Sequence, residues 1–206
     1  MCKMASGVLT KGHKAHWSKG TDSHEAIIAE HKLTADGVRG PNIVRFEITP
    51  PDDRYDAPLA EWSYRVDQDT TPDWYDATAG EVAARAMLVE WAVCKLVTTG
   101  IERDVNTGEN VVVCGGTVNK VCGGTVDEVC GGTVNEVWGG TVNAVCGGTV
   151  NEGWGGTVNE VCGGTVEFRV AFACKLTGAL AVVINRIGAK AKCYVGTAKT
   201  RTVTGK

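Results

Sequence analysis

A block of eight residues, with the consensus Val-Cys-Gly-Gly-Thr-Val-Asn-Glu, repeats seven times without insertion between Val113 and Phe168. Repetition at a fixed short period is typical of stacked repeat proteins, in which each unit buries its apolar side only against its neighbours. An octad has room for one strand of about five residues and a turn. Two glycines per octad would each cost a helix about 1 kcal/mol relative to alanine. The repeat therefore predicts a mainly β chain that contains an octapeptide-repeat β-solenoid.

The residue before each Gly-Gly pair indicates how many octads make one coil. Taking every second copy sorts these residues into a series of cysteines and a series of Cys122, Trp138 and Trp154. A residue stacks on its equivalent one full turn later. The sorting therefore favours about sixteen residues per coil, with two octads forming two opposed strand layers. A coil of three octads is the alternative, and it would mix cysteine and tryptophan along each stack.

The valines of each octad are the candidate core. Val118 and the valine three residues on, Val121, are expected to point inward, with a corner between them. The threonines are expected to form an outward ladder and a candidate binding surface. They are Thr117, Thr125, Thr133, Thr141, Thr149, Thr157 and Thr165. A second ladder is expected from the asparagines that follow the Thr-Val pairs, which are Asn119, Asn135, Asn143, Asn151 and Asn159.

The pattern allows two orientations for the cysteine and tryptophan stacks. If they face outward, Trp138 and Trp154 form an exposed aromatic strip, which would mark a binding surface. If they face inward, small cysteines on one side complement large tryptophans on the other side of a narrow core. The first interpretation adds both tryptophans to the candidate binding surface.

The nine cysteines of the chain do not have the spacing of a zinc site. No Cys-x-x-Cys pair and no Cys/His cluster occurs, so neither a metal nor another cofactor is predicted. Cysteines stacked one coil apart would lie within disulfide range, but parallel in-register side chains favour poor disulfide geometry. Because no signal peptide or membrane-spanning run is recognisable, we expect free thiols, a cytosolic location and no membrane partner.

The region 1–103 has the mixed pattern of a small α+β domain. Strands are expected over 5–10, 14–18, 42–49 and 62–66. Asp22-Ser23-His24-Glu25 has the spacing of a capping box, which predicts a helix to about Lys32. A longer helix is expected over 77–97, and it would cover the open end of the first coil. The solenoid is then expected over 104–206, with regular octads at 113–168 and degenerate coils and a cap at 169–206.

The last 38 residues are strongly basic. Residues 169–206 contain eight basic residues and no acidic residue. A basic tail of this kind can bind nucleic acid, or can pair with acidic surface of its own chain or of a neighbouring subunit. Its candidate binding residues are Arg186, Lys190, Lys192, Lys199 and Arg201. If the coil at this end is uncovered, two copies of the chain are expected to associate end to end as a homodimer.

Cys2 is the one weak candidate for a catalytic residue. Removal of Met1 would leave a free α-amine beside its thiol, as in enzymes with an N-terminal nucleophile. The opening Met-Cys is superficially similar to the glutamine amidotransferases of that class. Those domains are about twice as long as 1–103, and neither an Asn-Gly oxyanion segment nor a substrate-clamping arginine is recognisable. An incidental or buried cysteine is the alternative.

Several segments together resemble a group of uncharacterised proteins encoded in bacteriophage and prophage genomes. The segments are the opening Met-Cys, Asp22-Ser23-His24-Glu25, Val44-Arg45-Phe46-Glu47-Ile48-Thr49-Pro50, Val66-Asp67, Pro72-Asp73-Trp74-Tyr75 and the Thr-Val octads. The resemblance covers nearly the whole chain and implies a phage-related protein in the cytoplasm of a bacterial host, but it brings no catalytic residues.

The sequence thus favours a non-enzymatic repeat scaffold that binds another macromolecule, such as a host factor or a defence component. Two alternatives stay open. One is an N-terminal-cysteine hydrolase or amidotransferase whose solenoid serves for oligomerisation. The other is binding or mimicry of nucleic acid through the charged faces.

Overall fold

The structure is a computed structural model that describes residues 4–37, 40–187, 192–197 and 199–205. The chain divides into two compact units, Met1–Cys94 and Lys95–Lys206. The first is a small α+β unit, and the second is a β-solenoid with about sixteen residues per coil. Both features of the predicted fold class are confirmed. None of the helices in the described residues has both the length and the apolarity needed to cross a bilayer.

The strands and helices of the first unit are β1 (Ala5–Thr10), β2 (Lys14–His16), α1 (His24–Glu30), β3 (Asp36–Gly37), β4 (Gly40–Pro41), β5 (Val44–Thr49), β6 (Ser63–Val66) and α2 (Ala77–Lys95), with 3-10 turns at Pro51–Asp53 and Leu59–Glu61. Four of the strands form an antiparallel sheet in the order β2-β1-β5-β6. β3 and β4 pair as a separate short ribbon. β1, β2, β5 and β6 lie within the predicted segments 5–10, 14–18, 42–49 and 62–66, whereas β3 and β4 were not predicted.

Helix α1 begins at a different cap from the one predicted. Ser23 is the N-cap, and its hydroxyl accepts a hydrogen bond from the backbone N–H of Ala26 at 3.4 Å. Asp22 instead accepts a hydrogen bond from the indole N–H of Trp91 at 3.1 Å. Both residue types cap helices well. Asp22 is therefore bonded elsewhere in the unit, and Ser23 serves as the cap.

The second unit contains one ladder of mainly parallel strands. They are β7 (Leu96–Val97), β8 (Glu102–Asn106), β9 (Asn110–Val145), β10 (Thr149–Gly153), β11 (Thr157–Val161), β12 (Thr165–Phe168), β13 (Phe172–Leu176), β14 (Val182–Asn185), β15 (Lys192–Val195) and β16 (Arg201–Gly205). β9 is 36 residues long and passes through more than two coils, because pairing to neighbouring coils continues through its corners.

The strand register confirms the predicted coil length. Thr149 pairs with Thr133 in one layer, and Thr157 pairs with Thr141 in the other. Each pair joins residues sixteen positions apart, so every octad residue lies on its equivalent two octads earlier. The three-octad coil is therefore wrong.

The predicted helix over 77–97 ends two residues early. α2 stops at Lys95, and Leu96 and Val97 form β7, which pairs in parallel with Val112 and Val113. Leu96 and Val97 are apolar, and an apolar pair at this point is compatible both with a longer helix and with a buried strand. Pairing with β9 gives these two residues the strand conformation. The first parallel strand pair of the solenoid therefore begins before residue 104, the predicted start of the solenoid. Coverage of the first coil by α2 stays a prediction.

Stacked valines form the core of the solenoid, as predicted. Val118 and Val121 are fully buried, and so are their equivalents in the later octads. The valine pattern is interrupted at Gly153, where a Cβ atom would lie 2.8 Å from Cδ1 of Phe168. Phe168 belongs to the last octad, in which Glu167 directly follows the Thr-Val pair and the asparagine is missing. The larger ring thus fills the space that Gly153 leaves.

The C-terminal end of the solenoid reverses strand direction. β13 pairs antiparallel with β16, and β14 pairs antiparallel with β15, so each layer of the last coil is followed by a reversed strand. The hydroxyl of Tyr194 in β15 donates a hydrogen bond to the carbonyl of Thr204 in β16 at 3.3 Å. This arrangement fits the predicted cap. Self-association of two copies through this end stays a prediction.

The second glycine of a Gly-Gly pair is required at several corners. Gly140 has φ +80°, and a Cβ atom at this position would overlap the carbonyl oxygen of Gly124 in the coil before. Gly139 does not have a positive φ, and the nearest neighbour of a Cβ atom there would be Gly123 N, 4.0 Å away. The two neighbouring glycines therefore differ both in backbone conformation and in available space.

We expect Gly140→Ala to lower the free energy of unfolding by more than about 1 kcal/mol, because it places a side chain at positive φ against a backbone carbonyl. Gly139→Ala is the matched control and should change that free energy by less than about 0.5 kcal/mol. Urea unfolding followed by far-UV circular dichroism measures both. Equal losses for the two variants would contradict the corner geometry described above.

Candidate functional site

One outward corner of the solenoid brings together aromatic and charged side chains from three successive coils. We call it the tryptophan corner and define it by five residues: Glu136, Trp138, Glu152, Trp154 and Arg169. The register places them in two adjacent columns. Glu152 pairs with Glu136, and the pairing of Gly153 with Phe168 puts Arg169 one coil after Trp154.

The tryptophans face outward. Their rings stack with 5.8 Å between centroids and an angle of 17° between planes. Trp138 is 55% exposed and Trp154 is 39% exposed. The outward interpretation is therefore correct, and the alternative of an inward volume complement is wrong, because the stacked valines already fill the narrow core.

Hydrogen bonds to carboxylates hold both indole rings. The indole N–H of Trp138 donates to Glu136 at 2.6 Å, and that of Trp154 donates to Glu152 at 2.7 Å. Charge-assisted bonds of this length are stronger than those between neutral groups. Each glutamate lies two residues before its tryptophan, so the same glutamate–indole hydrogen bond is present in both coils. The exposed rings are thus fixed in orientation before any partner binds.

Arg169 closes one end of the tryptophan column. Its guanidinium lies 5.8 Å from the centroid of the Trp154 ring, within the range of a cation–π interaction. It also pairs with Glu152 at 2.8 Å and with Glu167 at 3.1 Å. The indole of Trp154, the guanidinium of Arg169 and the carboxylate of Glu152 therefore each interact with the other two. Arg169 is exposed and the two glutamates are half-buried, so these ion pairs lie at the surface and orient it more than they stabilise the fold.

Three of these five residues, Glu136, Glu152 and Arg169, were missed by the sequence interpretation. Residues two apart on a strand share a face, so the Glu-x-Trp spacing contains a signal for the first two. Arg169 had no such signal, because its position depends on the missing asparagine in the last octad.

A cavity of about 540 Å³ is lined in part by residues that directly follow those of the tryptophan corner in the sequence. Its lining includes Gly155 and Val170, which directly follow Trp154 and Arg169, together with Phe168 and Phe172. Those two phenylalanine rings stack with 4.1 Å between centroids. The cavity is formed where a Gly-Gly corner faces the irregular segment that follows the last octad.

The predicted threonine rows lie on the surface. Thr157 is exposed, and the other six are half-buried: Thr117, Thr125, Thr133, Thr141, Thr149 and Thr165. Beside them the predicted asparagine ladder is present as two ladders, one in each layer. Asn151 donates to Asn135 at 3.1 Å in one layer, and Asn159 donates to Asn143 at 3.0 Å in the other. The amide ladders bond to themselves, so they hold neighbouring coils together.

The expectation of free thiols is wrong for one pair. Cys146 and Cys162 are joined as a disulfide between successive coils, with 4.8 Å between their Cα atoms. That separation equals the distance between neighbouring strands. In-register stacking is therefore sufficient to bring these two sulfur atoms together.

Two of the described basic tail residues have bonded partners. Arg186 pairs with Glu167 at 2.9 Å, and Arg201 donates to the carbonyl of Val195 at 2.7 Å. Lys192 and Lys199 are exposed. Lys190, like the candidate nucleophile Cys2, lies outside the described residues.

His24 at the start of α1 and His31 just after its end have separate partners. His24 is buried and bonds through Nε2 to the carbonyl of Phe46 at 3.0 Å, whereas Nε2 of His31 bonds to the carbonyl of Trp17 at 2.8 Å. Within the described part of the chain, no group of three or more histidine, cysteine, aspartate or glutamate side chains has an arrangement that could hold a metal ion.

Comparison of the chain with models of known protein families, with curated protein sequences and with solved structures gives no significant match. The choice of the tryptophan corner as the candidate site therefore rests on its geometry alone.

We expect the cysteines to differ in reactivity by their position in the solenoid. Cys122 and Cys193 are exposed, whereas burial raises the pKa of the Cys174 thiol to about 11. Because the thiolate is the nucleophile, iodoacetamide should label Cys122 and Cys193 well before Cys174. Mass mapping of peptides after timed labelling of the native chain measures the order.

Labelling in guanidinium, after reduction, is the control, and there the three cysteines should react at similar rates. Native labelling of Cys174 as fast as that of Cys122 would contradict its burial in the core.

Proposed function

We propose that this chain is a non-enzymatic repeat scaffold that binds another macromolecule through the tryptophan corner. The observation that carries the proposal is the exposed pair Trp138 and Trp154, held by carboxylate hydrogen bonds at 2.6 Å and 2.7 Å. Tryptophan is enriched among the residues that dominate binding energy at protein interfaces. A surface that is already ordered loses less entropy when a partner binds, and this raises affinity.

The threonine rows extend this surface along both layers of the solenoid. Repetition presents the same side chains at each coil, which suits an extended partner. The asparagine ladders support such a surface by linking neighbouring coils, as between Asn135 and Asn151. We therefore assign recognition to the tryptophans and additional contact area to the threonines.

We further propose that the chain acts in the cytoplasm of a bacterial host and that its partner is a host factor or a defence component. This context rests on the resemblance to phage-encoded and prophage-encoded proteins. Thiols are kept reduced in that compartment, so the Cys146–Cys162 disulfide does not support this location. The backbone hydrogen bond from Cys162 N–H to the Val145 carbonyl, at 2.9 Å, joins the two coils whether or not Cys162 is oxidised.

The test is affinity capture from lysates of a panel of bacterial species with immobilised chain, read out by quantitative mass spectrometry. We expect at least one protein to be enriched on the wild-type chain and to fall at least tenfold on Trp138→Ser/Trp154→Ser. Leu180→Ser is the matched control, because it removes a side chain that is 84% exposed elsewhere on the solenoid. Captured proteins should be retained on this control.

Two results would overturn the proposal. One is the absence of any protein enriched on the wild-type chain. The other is enrichment that falls equally on Leu180→Ser and on the double tryptophan variant. Circular dichroism of both variants verifies that the solenoid is folded, so that loss of capture reports on the surface.

A further inference from the structure

The two faces of the tryptophan stack have different surroundings. Trp154 lies between Trp138 on one face and Arg169 on the other. Trp138 has Trp154 on one face, and among the described residues no other ring or cation lies over it. The greater exposure of Trp138, 55% against 39%, agrees with one open face.

Cys122 occupies the column position one coil before Trp138. The corner glycines show this register directly, since a Cβ on Gly139 would lie 4.0 Å from Gly123 N. Cys122 is exposed and small, so the space over the open face of Trp138 is bounded below by a short side chain. The column therefore ends at this side in a gap of the size of a side chain.

The chain itself shows which chemistry fits such a gap. At the other end of the column, the guanidinium of Arg169 lies over Trp154 and pairs with Glu152, the same carboxylate that accepts the Trp154 indole N–H. At the open end, Glu136 accepts the Trp138 indole N–H at 2.6 Å in the same way. A ring and a carboxylate are thus present at both ends of the column. The ends differ in one respect, since Arg169 also pairs with Glu167 at 3.1 Å, whereas Lys120 lies one coil before Glu136 at the open end.

In the described part of the chain, Lys120 is the cation that forms an ion pair with this carboxylate. Lys120 Nζ lies 3.6 Å from Oε2 of Glu136, beyond normal hydrogen-bond distance. No described residue donates a hydrogen bond to Oε1 of Glu136. A guanidinium can bond to a carboxylate with two N–H groups and stack on an aromatic face at the same time, which an ammonium group cannot do.

We propose that the open face of Trp138 and the carboxylate of Glu136 form a receptor for an arginine side chain of a partner protein. The proposal rests on the scaffold function and specifies the partner chemistry at its central site. A negative carboxylate at the edge of the ring disfavours a phosphate-bearing nucleotide stacked there. Arginine in an exposed or disordered segment of the partner would reach the corner without rearrangement of the solenoid.

The experiment titrates the full-length, 15N-labelled chain with the peptide Ac-Gly-Arg-Gly-NH2 and follows the indole N–H resonances of its six tryptophans. Trp138→Phe identifies the resonance of Trp138. Ac-Gly-Lys-Gly-NH2 and adenosine monophosphate are the comparison probes. We expect a saturable shift of the Trp138 resonance with the arginine peptide and a Kd on the order of millimolar, as suits a single side chain.

Two variants separate the parts of the receptor. Glu136→Gln should weaken arginine binding at least fivefold, because it removes the charge and leaves an oxygen for the indole. Glu160→Gln is the matched control, since Glu160 has the same octad position but is followed by Cys162 instead of tryptophan. It should leave the Kd unchanged. Cys122→Arg should fill the gap from within and abolish the shift.

The inference is overturned if the arginine peptide gives no saturable shift, if the lysine peptide or the nucleotide binds equally well, or if Glu136→Gln binds as tightly as the wild type. Failure of this inference is distinguishable from failure of the scaffold proposal. If capture from lysates depends on both tryptophans but not on Glu136, the scaffold function stands and the arginine receptor does not.

Discussion

In-register stacking of coils sixteen residues apart is the constraint on which the second unit depends. Thr149 on Thr133 and Thr157 on Thr141 represent the whole ladder, in which backbone hydrogen bonds run from one coil to the next. A single octad has no such partner and cannot bury its valines alone. Side chains contribute by fitting this spacing, with valine inside, glycine at the corners and self-bonding amides outside.

The same constraint sorts the surface into columns. Each side chain that points outward meets its equivalent one coil away, at the strand spacing of about 4.8 Å. Amides in such a column bond to each other, as Asn159 does to Asn143 at 3.0 Å. Cysteines come within bonding range, as Cys146 and Cys162 do. Tryptophans stack. Substitutions at the same octad position in neighbouring coils therefore lie next to each other in one column on the surface.

The sequence predicts the regular part of this molecule well, because a strict repeat contains both the period and the identity of the core. The valines, the coil length and the asparagine ladders follow from it. The end of α2 could not be predicted, since Leu96 and Val97 suit a helix and a strand equally and their pairing with β9 is a tertiary effect. The cap of α1 was misplaced by one residue, because Asp22 and Ser23 are both good caps and the sequence does not reveal that Asp22 bonds to the distant indole of Trp91.

The candidate site lies where the repeat departs from its consensus. Tryptophan replaces cysteine at two neighbouring coils of one column, and the missing asparagine of the last octad then shifts Arg169 into the next position of that column. The column thus has one end closed by the chain and one end left open over Cys122. A uniform repeat would present the same side chain at every coil and could not distinguish one position along the rod from another. The substitutions remove that equivalence, and a partner that recognises the open end is held at a single register on an otherwise repetitive surface.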